Sequence, residues 1–163
     1  MASPPDGRFL MRAFRIADRR FPIFDGTGAR LSGGRWNSPG RPVIYAAETF
    51  AGAVLEVLVH SNLGRVPKTH AGVEIAIPDR IAIEALTSSA LSGWDAEDQI
   101  VSREYGDKWL EERRTAILLV PATVTRGREY NVLLNPLHPD FKLIQASDPQ
   151  PVVWDARLFQ RTK

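Results

Sequence analysis

The 163-residue chain contains no cysteine, so disulfides, thiolate metal sites and a cysteine nucleophile are all excluded. Histidine is scarce: His60, His70 and His138 lie far apart, and no HExxH-like spacing joins them. A structural or catalytic zinc is therefore not expected, and no metal is called for. Neither sign of charge dominates. With 21 Lys and Arg against 19 Asp and Glu, the formal net charge is +2. A dedicated nucleic-acid binder would show a clustered basic stripe, and no helix-turn-helix pattern is recognisable. No apolar run reaches the length of a membrane span, and the N-terminus lacks the apolar core of a signal peptide. These absences predict a cytoplasmic protein with no direct nucleic-acid partner and no membrane partner.

What is present fits one domain. Hydrophobic residues make up 44% of the chain, enough to bury a core, and neither a repeat nor a low-complexity linker divides it. Residues 1–10 read as a flexible leader and 11–163 as the domain. Twelve glycines and 12 prolines punctuate the chain as short strands and loops would require. Strands are predicted at residues 13–17, 42–47, 72–77, 116–120, 129–134, 141–146 and 155–159. Residues 48–60 read as a helix with Thr49 as N-cap. Residues 96–113 read as one or two surface helices with a solvated charged face. Between Arg20 and Gly40 a long loop is expected, and loops of that length are usually functional or disordered. Strands outnumber helices without alternating with them, which predicts an α+β fold with mixed and antiparallel sheet flanked by helices.

Two stretches carry chemistry. In the 48–60 helix, Thr49, Gly52, Ala53 and His60 fall on the side of Glu56, while Phe50, Val54, Val57 and Leu58 fall opposite. The run is otherwise so apolar that the helix is expected to be covered on most sides, and a carboxylate there should be paired or functional. Gly52, one turn before Glu56, is expected to leave room beside it. The plain alternative is a solvated helix face. The second stretch is "GGRWN" (33–37), followed by Ser38 and, on the next strand, Tyr45. Arg35 presents a planar fork suited to phosphate oxygens, and Tyr45 a flat face with a polar tip. The plain alternatives are a surface ion pair for Arg35 and a core anchor for Trp36. Together, arginine, tyrosine and glutamate would serve a dinucleotide cleaved at a glycosidic bond. Trp94, Trp109 and Trp154 read as packing residues, and His138, between Pro136 and Pro139, as support for a turn.

Residues 28–60, "GARLSGGRWNSPGRPVIYAAETFAGAVLEVLVH", closely resemble the first half of the RES domain, a family of toxins from bacterial toxin–antitoxin pairs. "GDKWL" (106–110), "LLVPA" (118–122) and "NVLLNPLHPDF" (131–141) continue the resemblance along nearly the whole chain from Met11. It implies an ADP-ribosyltransferase-like fold, NAD+ as the consumed substrate, an Xre-like antitoxin partner and growth arrest. By the same resemblance, ADP-ribose passes to an acceptor protein, or NAD+ is depleted by a glycohydrolase or phosphorylase reaction. The family arginine and glutamate map onto Arg35 and Glu56, the strand tyrosine onto Tyr45, and an N-terminal arginine onto Arg15. The family serine follows a Val-Pro pair, where this chain has Ala122. A third reading follows from that departure: a catalytically weak module that binds NAD+ or an antitoxin.

Loss of nicotinamide from NAD+ develops an oxocarbenium-like centre and needs no general acid, because the leaving group is already cationic. In this scheme ionised Glu56 faces the ribose hydroxyls and the developing charge, and Arg35 holds the pyrophosphate. Tyr45 packs on the nicotinamide or contacts the ribose. His60 orients Glu56 or meets the acceptor, and Asn37, Ser38 and Asn131 are further hydrogen-bond partners. The charged 95–114 face, read as solvated, is also the surface on which an antitoxin could dock.

Overall fold

Apolar and polar residues alternate along β1 (Met11–Asp18) and β3 (His70–Ile77), which pair antiparallel over their full length in the computed structural model. The structure describes residues 11–61 and 65–159, so the predicted leader at 1–10 lies outside it. On the other side of β1 comes β2 (Ile44–Ala47), then β6 (Tyr130–Leu134) and β5 (Ile117–Pro121), each antiparallel to its neighbour. At that edge β4 (Ile83–Ala85) runs parallel to β5. A parallel pair needs a crossover connection, and α3 (Ile100–Glu112) supplies it. Two short strands, β7 (Gln145–Ala146) and β8 (Gln150–Pro151), pair with β3 at the opposite edge. The result is one eight-stranded mixed sheet, ordered β4-β5-β6-β2-β1-β3-β7 with β8 beside β3. With α1 (Thr27–Ser32) and α2 (Phe50–Ser61), it is the α+β architecture expected of the sequence.

Strand alternation sorts the core into two faces. One face carries Ala13, Ile44, Val73, Ile75, Ile117 and Val132. On the other, Trp36, Val43, Trp109, Leu118, Val120 and Leu133 pack together with Leu110 of α3. Beside that cluster, Ile16 and Ala47 pack with Ala53 and Val57 of α2. The anchor under α3 is Trp109, fully buried, with its indole N–H donating to Thr115 Oγ1 at 2.9 Å. Truncating a buried tryptophan typically costs about 3–5 kcal/mol. The two clusters on this face meet over β2 and β6, and that seam is where the chemistry-bearing side chains gather.

Several sequence expectations give way to local hydrogen bonding. Residues 141–146 were expected as a strand, but Pro139–Leu143 is a 3-10 helix and only Gln145–Ala146 pairs. Its start is set by Pro139, whose fixed φ suits a first helical turn, and by His138 Nδ1, which accepts the Asp140 N–H at 3.0 Å. Residues 155–159 likewise form a 3-10 helix, Ala156–Phe159, because the Asp155 carboxylate accepts the Arg157 N–H at 2.9 Å. The long 20–40 loop contains α1. The three-residue β4 is too short to show a period, and the sequence reading missed it. Among the described residues no helix is long and apolar enough to cross a membrane.

Candidate active site

α2 begins where Thr49 Oγ1 accepts the Gly52 N–H at 2.9 Å, the capping role expected of it. The helix then turns Gly52, Ala53 and Val57 onto the sheet. It is not covered on most sides: Phe50, Leu55 and Val59 are 47%, 39% and 64% exposed. Gly52 also has a different reason from the one expected. A Cβ there would stand 3.3 Å from Ala47 Cβ and 3.0 Å from Thr49 Oγ1, so glycine lets the helix lie low on β2.

That low seat brings Glu56 down to β6. Its Oε1 accepts from Asn131 Nδ2 at 3.0 Å, and its Oε2 lies 3.4 Å from His60 Nε2 one turn on. The Glu56 side chain is 25% exposed. Burial pushes its carboxyl up. The hydrogen bonds from His60 and Asn131, with the positive charges of His60 and Arg35, outweigh that and hold it below the usual carboxylate range. His60 is moved upward, chiefly by its hydrogen bond to Glu56 and by that carboxylate's charge, against the effect of burial. The carboxylate is thus kept ionised and accessible.

Arg35 anchors one nitrogen of its fork. Nη1 donates to the carbonyls of Ala96 at 2.9 Å and Trp94 at 3.2 Å, while among the described residues nothing hydrogen-bonds Nε or Nη2. A guanidinium fixed on one side and unspent on the other is set up to take an anion bidentately. The charge of Arg35 also acts on both Glu56 and Tyr45. By strand alternation Tyr45 and Asn131 share the sheet face of Leu133 and Ala47, Glu56 and His60 join Asn131 there, and Trp36, next to Arg35, packs in the same cluster as Leu133.

Other predicted contacts are used up within the protein. The Tyr45 hydroxyl accepts the Trp36 N–H at 3.0 Å and donates to Asn37 Oδ1 at 2.7 Å, which locks the arginine loop to β2. Burial pushes its phenol well above the ordinary tyrosine range, against the pull of the Trp36 N–H. Only the partly exposed ring of Tyr45 remains for a ligand. A Cβ on Gly34 would come within 2.7 Å of the same hydroxyl, so the second glycine of GGRWN makes room for the tyrosine.

Asn37 was expected to meet the ligand, but it is fully buried. Its Nδ2 donates to the Ala29 and Arg41 carbonyls, each at 2.9 Å. Ser38 was given the same role, and its N–H and hydroxyl are both taken by Asp107. Arg15 departs furthest. The alternation of β1 places Ala13 and Ala17 with the first core face and Phe14 and Ile16 with the second, so Arg15 lies on the face away from Glu56. There it donates to Ile23 O at 2.7 Å and Tyr45 O at 2.8 Å, bracing the strand from behind.

Beside the Glu56–Asn131 pair is a shallow recess lined in part by Ala47, Thr49, Gly52, Ala122, Glu129 and Asn131. Ala122, which stands where the resemblance places a serine, lines this recess. Trp36 is the core anchor expected of it, edge-on to Tyr105 with ring centroids 6.3 Å apart. Sequence reading took Ser102, Arg103, Gly106 and Asp107 as part of a solvated helix face and gave none of them a role, although GDKWL (106–110) entered the resemblance. Ser102 and Gly106 are buried, and all four touch the arginine loop. The signal available was Gly106, a glycine inside a helix. Among the described residues no group of three or more His, Asp or Glu is arranged to hold a metal.

Comparison with known proteins gives concordant results. The RES domain family profile matches residues 12–155. A protein described as Prs ADP-ribosylating toxin, from Sphingobium sp. strain YBL2, is 41% identical over 140 residues, covering 83% of this chain and 86% of its own length. A protein described as Toxin Res, from Pseudomonas putida KT2440, is 36% identical over 138 residues, covering 82% and 91%. Among solved structures, a chain of the M. tuberculosis MbcT–MbcA toxin–antitoxin complex superposes with a TM-score of 0.71. It covers 87% of this chain and 84% of that one. At 19% identity this last likeness shows the fold alone.

Proposed function

Since the chain belongs to the RES domain family, we propose that it is the toxin of a toxin–antitoxin pair and acts by ADP-ribosylation. In this reading it cleaves the nicotinamide–ribose bond of NAD+, transfers ADP-ribose to an acceptor protein and thereby arrests growth. An Xre-like antitoxin is its partner. The observation that carries the reading is the pairing of an ionised, accessible Glu56 with the half-unspent fork of Arg35 on one side of the sheet.

Each residue then has a task. Arg35 Nε and Nη2 take a pyrophosphate oxygen pair while Nη1 stays on its backbone carbonyls. The ring of Tyr45 forms part of the floor. Glu56, fixed by Asn131 and His60, faces the ribose as positive charge builds on its anomeric carbon. A preorganised carboxylate at that point favours the transition state over the bound ground state. As the C–N bond breaks, its electron pair leaves with nicotinamide, and the acceptor's nucleophile closes on the anomeric carbon while releasing its proton.

The test uses NAD+ labelled in its adenylate portion, purified protein and cell lysate. Free nicotinamide with a labelled protein band is expected. Nicotinamide with only soluble label would replace transfer by hydrolysis or phosphorolysis. No nicotinamide under any condition would overturn the enzyme in favour of a binding module. Glu56→Ala should lower nicotinamide release at saturating NAD+ by about 10²–10³-fold, Arg35→Ala should lower it at subsaturating NAD+ through weaker binding, and full activity in both variants would refute the site.

A further inference from the structure

The loop that carries Arg35 is held by one face of α3. Ser102 Oγ donates to Arg35 O at 2.8 Å, and Arg103 Nε donates to Gly34 O at 3.2 Å. Gly106 presents bare backbone to Trp36 O, at a spot where a Cβ would be 1.8 Å from that oxygen. Asp107 completes the set: its Oδ1 accepts the Ser38 N–H at 2.8 Å and its Oδ2 the Ser38 hydroxyl at 2.5 Å. Residues 34, 35, 36 and 38 are thus all met by α3, while Asn37 is held by Tyr45 and the carbonyls of Ala29 and Arg41.

These contacts differ in kind. Ser102 and Gly106 set the height of the loop over the helix, and many backbone segments pack so. Asp107 fixes its rotation. A carboxylate that receives both a backbone N–H and the hydroxyl of the same residue holds that residue's plane in one orientation. Ser38 lies three residues past Arg35, and the Gly34 N–H to Asn37 O bond of 2.9 Å closes the loop between them. Asp107 also lies 3.6 Å from Arg41 Nε, at the far end of the same loop. A change of orientation at Ser38 is therefore passed to the base of the Arg35 side chain. There, two carbonyl contacts to Nη1 define where the unspent nitrogens point.

We infer that Asp107 is a positioning residue for anion binding, which acts on the dinucleotide's pyrophosphate only by orienting the Arg35 loop through Ser38. The inference rests on the reading of Arg35 as the pyrophosphate clamp. Because that clamp engages the ligand equally in the ground state and the transition state, loosening it weakens NAD+ binding and leaves turnover nearly unchanged.

The experiment measures Kd for NAD+ by titration calorimetry and KM and kcat for nicotinamide release. It uses Asp107→Ala, Asp107→Asn, Ser38→Ala and Arg35→Ala, with urea unfolding of each. Asp107→Ala is expected to raise Kd and KM by roughly 10-fold with kcat within about 3-fold. Ser38→Ala, which removes the hydroxyl arm alone, gives a smaller rise. Asp107→Asn recovers most of the affinity, because its amide oxygen still accepts the Ser38 N–H and its NH2 donates to the Ser38 hydroxyl. Unchanged Kd and KM in Ser38→Ala and in folded Asp107→Ala overturn the proposal if Arg35→Ala still weakens binding. If Arg35→Ala leaves Kd unchanged too, the clamp reading itself has failed. An Asp107→Asn as impaired as Asp107→Ala also overturns it, since charge rather than position would then matter. Should Asp107→Ala fail to fold, the Ser38→Ala and Asp107→Asn comparison decides.

Discussion

In a solvated helix, replacing an interior glycine such as Gly106 by alanine gains up to about 1 kcal/mol from lost backbone freedom in the unfolded chain. Here the new methyl carbon would be built 1.8 Å from Trp36 O, 2.7 Å from Trp36 C and 3.0 Å from Trp36 Cβ. Real Cβ atoms essentially never come closer than 3.0 Å to such atoms, so α3 and the arginine loop must part by about 1.2 Å or more. Neither side can turn away, because the obstacle is backbone on one side and helix on the other. Overpacking of this kind costs roughly 1–3 kcal/mol and sometimes more. The separation also stretches the Ser102–Arg35 and Asp107–Ser38 bonds. Gly106→Ala should therefore be destabilising by about 1–3 kcal/mol after its helix-propensity gain, with a weaker affinity for NAD+. Urea unfolding of the two proteins side by side reads the sign directly, provided the slope with denaturant is unchanged. A Gly106→Ala protein as stable as the parent, or more stable, would refute the close docking of α3 on the loop.

The Glu56–His60 pair makes a prediction for pH. The raised pKa of His60 means that its contribution is full below the ordinary imidazole value and is lost as pH rises through the raised one. The lowered pKa of Glu56 means that its contribution is present above the ordinary carboxyl value and is lost as pH falls through the lowered one. Removing the imidazole in His60→Ala should let the Glu56 pKa climb, so the acid limb of nicotinamide release moves to higher pH. An unmoved acid limb would separate His60 from the carboxylate. Tyr45→Phe keeps the ring and leaves the Trp36 N–H and Asn37 Oδ1 without their partner, at a cost of about 1–3 kcal/mol. Its urea midpoint should fall accordingly, and parental stability would show that the hydroxyl latch is not what holds the loop.

Much of this molecule was legible in its sequence because the informative signals are local. Alternation located β1, strands were also expected where β3 and β6 lie, and Thr49 announced the start of α2. Glu56 stood out because an ionisable group in an apolar run requires a partner, although sequence could not say that Asn131, 75 positions later, would be one. Arg15, Asn37 and Ser38 bond within the protein rather than standing free for a ligand, and for a shared reason. Residue type tells what a side chain can bond to, while the face of a strand and the partner already present decide what it does bond to. Asp107 illustrates the reverse. On a helix wheel it is one charge among many, and only its contact with Ser38 singles it out.

The contacts that hold the arginine loop have a consequence in time. Arg35, Ser38 and Glu56 all emerge within the first 60 residues, yet the later groups that hold them follow 59 to 75 positions behind: the Trp94 and Ala96 carbonyls, Ser102, Asp107 and Asn131. At a ribosomal rate of about 5–20 residues per second, Arg35 and Glu56 exist for roughly 3–15 s before these supports have been made. An interrupted or clipped product lacking α3 and β6 would carry the whole reactive set and have no site. On the proposed reading, activity has to wait until β6 has been made, which leaves an interval in which a second protein can arrive first.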